Sequence, residues 1–78
     1  MAIAKVERDN AAAGRGPLGK ADDGEPVFIL RGQDRLAASL VWEWARRASR
    51  TGCPIAKVVE AQEIAEAMEK WPKRKDPD

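Results

Sequence analysis

Apolar positions recur at helical spacing in two stretches of this chain. Between Arg35 and Arg50, the residues Leu36, Ala37, Leu40, Val41, Trp44 and Ala48 fall on one stripe of a helix. Asp34 precedes them as an N-cap, and Arg46, Arg47 and Arg50 crowd the last turns, where cations suit the helix dipole. Gly52 supplies the left-handed position that ends such a helix, and Pro54 suits the first turn of the next. The second stripe is Val58, Ala61, Ile64, Ala65, Met68 and Trp71, and Pro72 stops it. The link Thr51-Gly52-Cys53 is short, so the two helices are expected to form a hairpin.

A different pattern precedes them. Pro26-Val27-Phe28-Ile29-Leu30 is apolar, β-prone and ended by Gly32; it is too short for a helix and predicts a strand. A strand must pair its backbone donors and acceptors. The chain offers only Ile3–Val6 as an internal partner, and the alternative is the same strand of a second copy. The pattern therefore predicts association through Val27, Phe28, Ile29 and Leu30, strand to strand or as an arm on another subunit.

The remaining segments carry weaker patterns. Ala2–Ala13 reads as a short helix with Ile3 and Val6 on one side and Gly14 as its C-cap, and Gly14 to Glu25 reads as a loop. The tail PKRKDPD is charged and bracketed by prolines, so it is expected to fray. Three units follow: a flexible or partly helical arm over 1–25, the strand and hairpin over 26–71, and a disordered charged tail over 72–78.

Composition changes the picture in one respect, the core. In 78 residues, 14 are alanine and only 14 are Leu, Ile, Val or Phe, which is close to the disorder borderline. The net charge of +1 does not push the chain open. Domains this small often need disulfides, a metal or a partner. One cysteine forbids an internal disulfide, and no histidine leaves no basis for a zinc site, so self-association is the remaining staple. The fold class expected is mainly α: a helical hairpin preceded by one short β-strand and a flexible N-terminal arm, assembled as a homo-oligomer.

The chemical inventory argues against catalysis. Without histidine there is no Ser-His or Cys-His pair. Cys53 before Pro54 reads as a small residue at a helix junction. Glu60, Glu63, Glu66 and Glu69 recur every third residue, a spacing that drifts by about 60° per step on a helix, so they spiral instead of converging. No enzyme, cofactor or metal is expected. The chain has no apolar run long enough to span a membrane and no secretory h-region at its start, and a lone cysteine fits a reducing cytoplasm.

Three motifs point to binding. Gly14-Arg15-Gly16-Pro17-Leu18-Gly19-Lys20 matches the skeleton of a phosphate loop, but Ala21 stands where magnesium needs a hydroxyl and no strand leads in. A loop is the favoured reading; what survives is an anion cupped near Arg15 and Lys20. Trp42 lies about 160° from the centre of its helix stripe, with Arg35, Ala38, Ser39, Ala45, Arg46 and Ser49 as helical neighbours. It either packs under the N-terminal arm or forms a second contact surface, an oligomer interface or a ligand platform in which Arg46 adds a guanidinium. Gln33 and Asp34 read as a turn and cap, with polar recognition as the alternative. A DNA-reading helix-turn-helix is argued against by the four glutamates of the second helix and by the absence of a basic footprint.

The stretch ADDGEPVFILRGQDRLAASLVWEWARRA at 21–48, with KVVEAQEIAEAMEKW at 57–71, resembles a family of short proteins scattered through phages and prophages. Where the family pattern has Arg-Ala-Gln-Asp, this chain has Arg31-Gly32-Gln33-Asp34, a looser turn. The resemblance implies a phage accessory protein, of a kind that often blocks host defences. Three functions are expected from these readings. The first is a non-enzymatic protein that sequesters a small anionic ligand, a nucleotide signal, at a subunit interface through Trp42, Arg46, Arg35, Gln33, Arg15 and Lys20. The second is an inhibitor or adaptor that binds a host protein. The third is a small structural phage component.

Overall fold

The computed structural model describes residues 2–76. Met1, Pro77 and Asp78, the outer ends of the arm and tail, lie outside the described residues. Four helical segments run along the chain: α1 (Ala4–Ala12), α2 (Gly16–Lys20), α3 (Ala37–Arg50) and α4 (Ile55–Glu69). α3 and α4 form the hairpin read from the two stripes.

The hairpin is built by local rules. Asp34 Oδ1 accepts the Leu36 N–H at 2.8 Å, and its carbonyl accepts the Ala37 N–H at 3.0 Å. Asp34 therefore organises the turn that leads into α3, which itself begins at Ala37 rather than Arg35. At the other end Gly52 has φ +82, and the Cys53 N–H donates to the Ala48 carbonyl at 3.1 Å, the closing bond of a Schellman motif. Pro54 stands just before α4, not in its first turn, and its carbonyl accepts the N–H groups of Lys57 and Val58. α4 ends at Glu69, so Trp71 lies beyond it.

The seam between α3 and α4 is made of small residues. Ala37, Ala38, Ala45 and Ala48 of α3 are buried with Val58, Ala61 and Ala65 of α4, and no large side chain among the described residues is fully buried. The line of buried α3 residues is turned by about 70° from the centre of the apolar stripe, taking 100° per residue. Leu36, Leu40 and Trp44, the large members of that stripe, stay 54%, 48% and 53% exposed. Size explains the turn. Helices separate by the bulk of the side chains at their contact, so a line of alanines brings the backbones closest and leaves the bulky residues on the flank.

The strand expected at Val27–Leu30 does not form; no strand is present among the described residues, and this segment has no regular structure. Its one internal partner is used otherwise, since Ile3 precedes α1 and Val6 lies inside it. No backbone remains to complete a ladder, and Phe28 stands 85% exposed.

α1 lies within the short helix expected over Ala2–Ala13, and α2 lies within the stretch Gly14–Glu25 that was expected to be a loop. α1 ends in a full Schellman motif, with the Gly14 N–H on the Ala11 carbonyl at 3.0 Å and the Arg15 N–H on the Asn10 carbonyl at 2.7 Å. α2 then folds back against α1, with Pro17 in its first turn. Gly19 permits this approach, because a Cβ there would lie 2.7 Å from the Gly14 carbonyl carbon. Neither α1 nor α2 packs on α3 or α4. The tail, expected to fray, turns back instead. Lys75 forms an isolated parallel bridge beside Asp34: its N–H donates to the Gln33 carbonyl at 2.6 Å, and its carbonyl accepts the Arg35 N–H at 2.9 Å.

Candidate binding surfaces of the hairpin

The alanine seam divides the hairpin surface into two flanks. One is polar. Trp42 lies about 90° from the centre of the buried α3 line, at its edge rather than opposite it. Its ring is 36% exposed, and its indole Nε1–H donates to Glu69 Oε1 of α4 at 2.6 Å. With Ser39, Arg46, Ser49 and Arg50 of α3 and Gln62 of α4, these two residues line an open groove of about 620 Å³. No residue of the arm lines it, so Trp42 does not pack beneath α1 or α2.

The electrostatics of this groove are balanced. Glu43 accepts from Arg46 Nε and Arg47 Nε, each at 2.9 Å, and also from Arg46 Nη2. These guanidinium hydrogen bonds hold the Glu43 carboxyl down at about 2, from an ordinary 4.5. The same pairing pushes Arg46 up. Arg46 therefore enters the groove with its charge already answered by its own helix. Arg50 has no ion-pair partner among the described residues. Glu66 is likewise taken by Lys70 one turn on, at 3.0 Å, so neither Glu43 nor Glu66 ties α3 to α4 by charge.

The residues expected to share one ligand site do not converge. Trp42 and Arg46 meet in the groove. Arg35 faces the tail, with Nε 3.4 Å from Asp76 Oδ1. Gln33 gives its carbonyl to Lys75. Arg15 precedes α2 and Lys20 ends it, apart from the hairpin. The backbone amides of Gly14 and Arg15 are spent on α1, which removes two donors from the proposed anion cup. The sequence reading missed Arg50, Gln62 and Glu69. Arg50 follows Trp42 and Arg46 at four-residue steps and was findable; Gln62 and Glu69 depend on the register of α4 against α3, which spacing within one helix does not carry.

The other flank is apolar. Trp44 stands beside Ile64, Ala61, Lys57 and Glu60, and together they line a hollow of about 200 Å³. Leu36 and Leu40 continue the Trp44 line along α3, and half-buried Met68 continues the Ile64 line along α4. At the far end, Gly32 lies against Met68 and Trp71: a Cβ there would sit 3.7 and 3.8 Å from their Cγ atoms. The turn before Asp34 thus packs over the end of α4.

Among the described residues no group of three Cys, Asp or Glu side chains is placed to hold a metal. No helix is long and apolar enough to cross a membrane. No protein-family model matches the chain, and neither the curated proteins nor the solved structures give a match.

Proposed function

We propose that this chain is a non-enzymatic protein-binding module, an inhibitor or adaptor, that works through the apolar flank of its hairpin. One observation carries the reading: alanines fill the seam while Leu36, Leu40 and Trp44 stand about half exposed on one face. Fully burying a side chain of this size contributes about 1.5–3 kcal/mol, so this face holds unspent driving force for binding. Tryptophan is also the residue type most enriched at binding hot spots. The resemblance to short phage proteins supplies a setting in which such a module would act on a host protein.

The test is a comparison of the full chain with Trp44→Ser. A partner protein bound by the parent and lost by the variant, with helicity by circular dichroism unchanged, supports the reading. Equal binding by both would place the interaction elsewhere and overturn it.

A second reading, sequestration of a small anionic ligand such as a nucleotide, is favoured by one feature: Trp42, Ser39, Ser49, Arg46 and the unpaired Arg50 line the same groove. The carboxylates of Glu43 and Glu69 at its edge make it the weaker of the two. Thermal-shift measurements against linear and cyclic nucleotides test it, because a ligand that binds only the folded state raises stability.

A further inference from the structure

We propose that residues 25–31 pair with the same residues of a second copy, antiparallel, in a two-stranded ribbon centred on Phe28. The segment is separate from the surfaces of the hairpin: Val27, Phe28 and Ile29 line neither the hollow at Trp44 nor the groove at Trp42. Its main chain is unspent. From Pro26 to Leu30 no N–H or carbonyl makes a hydrogen bond within the chain, and Val27, Phe28 and Ile29 are all exposed. No residue from Glu25 to Arg31 has a positive φ, so no left-handed position interrupts a strand there. Turns bound the segment on both sides. The Glu25 N–H donates to the Asp22 carbonyl and the Asp34 N–H to the Arg31 carbonyl, each at 3.0 Å.

Proline sets the hydrogen-bonding phase. In an antiparallel pair, residues alternate between positions that point their N–H and carbonyl at the partner strand and positions that point them away. Pro26 has no N–H, so it belongs at a position that points away. Phe28 and Leu30 then point away as well, and Val27 and Ile29 face the partner. With Phe28 on the two-fold axis, Val27 of each copy lies opposite Ile29 of its mate, and the two exchange hydrogen bonds in both directions. Phe28 lies opposite Phe28 at a non-hydrogen-bonded position, where cross-strand side chains approach closest and form an aromatic pair.

Charge fixes the register and selects a second copy. Neither Glu25 nor Arg31 has an ion-pair partner among the described residues. A two-fold axis through Phe28 sets Glu25 of each copy opposite Arg31 of its mate, so one register answers both charges on both sides of the axis. Moving the axis to Val27 or to Ile29 sets Glu25 opposite Ile29 or Gln33 instead. A foreign sheet edge would have to bring an acid and a base of its own at the matching spacing. A second copy carries them already.

Sedimentation of the full-length protein across a concentration series, with amide exchange read by NMR, tests the proposal. The mass should rise with concentration from 8.6 kDa toward twice that value, because a two-stranded ribbon is marginal on its own. In the associated state the amides of Val27 and Ile29 should gain protection, and those of Phe28 and Leu30 should not. Glu25→Arg should weaken association by roughly tenfold, and Glu25→Arg combined with Arg31→Glu should restore it. Both positions lie outside the four helices, so these variants should keep the helicity of the parent. Trp44→Ser should leave association unchanged, which separates this contact from the protein-binding reading. A parent that stays monomeric at every concentration, protection without the alternation, or a charge swap that fails to restore association overturns the proposal. A dimer lost with Trp44→Ser overturns it as well, since the contact then lies on the hairpin.

Discussion

Trp42 and Glu69 are joined across the hairpin: the indole N–H of one helix donates to the carboxylate at the end of the other at 2.6 Å. The Glu69 main-chain carbonyl also accepts from the Arg74 guanidinium. One residue therefore fastens both α3 and the returning tail to the last turn of α4. Trp42→Phe keeps an aromatic ring and removes the donor. It should lower stability by about 1 kcal/mol, the net worth of a partly exposed hydrogen bond, as read from urea unfolding followed by circular dichroism.

Acid should weaken α3 through Glu43. Its carboxyl is held at about 2 in the folded chain against an ordinary 4.5, because Arg46 and Arg47 donate to it. A depressed folded value means that the contribution is complete above 4.5 and is lost as pH falls toward 2. Glu43→Gln should therefore flatten the fall of the melting temperature across that window. Since Glu43 lies at the surface, added salt should shrink the difference between parent and variant.

Two glycines should fail for different reasons. Gly52 holds φ +82 with nothing within 4 Å of a Cβ, so Gly52→Ala meets only backbone strain. It should cost roughly 1–2 kcal/mol of hairpin stability. At Gly19 the Cβ would strike the Gly14 backbone at 2.7 Å, so Gly19→Ala should separate α2 from α1. Because neither helix packs on the hairpin, the amide chemical shifts of α3 and α4 should not move.

Removing the tail should loosen the entry to α3. A chain ending at Trp71 loses Lys75, which accepts from the Arg35 N–H and donates to the Gln33 carbonyl. Hydrogen exchange at Arg35 should accelerate toward the rate of an open turn, while amides in the middle of α3 keep their protection.

The parts legible in the sequence are those set by near neighbours. Gly14 and Gly52 take the left-handed positions expected of them, and both stripes, apart from Leu36 and Trp71 at their ends, lie on helices that pair; Asp34, expected as the N-cap, instead closes the turn before α3, whose N-cap is Leu36. The stripe contained the seam but misplaced its centre. Hydropathy weights Leu36, Leu40 and Trp44 above Ala45, whereas close approach of two backbones favours the smallest residue. The strand at 27–30 was misread for a related reason, since a strand exists only with its partner and none is free within the chain. α2 was hidden because GPLGK has no apolar period, although Pro17 marked its start. The candidate groove was half legible: Trp42, Arg46 and the two serines follow from one helix, and Gln62 and Glu69 require the contact between two.

The alanine seam also separates two entropy terms. Alanine has no rotamers to freeze, so pairing α3 with α4 restricts almost only the backbone. The rotamer cost of Leu36, Leu40 and Trp44, about 0.5–1 kcal/mol for each leucine, is deferred until something covers them. On the proposed protein-binding reading, the entropy cost of hairpin formation falls on the backbone and that of association on the flank side chains. Substitutions that stiffen the flank side chains beforehand should tighten binding of a partner there, and without the partner should leave hairpin stability where it is.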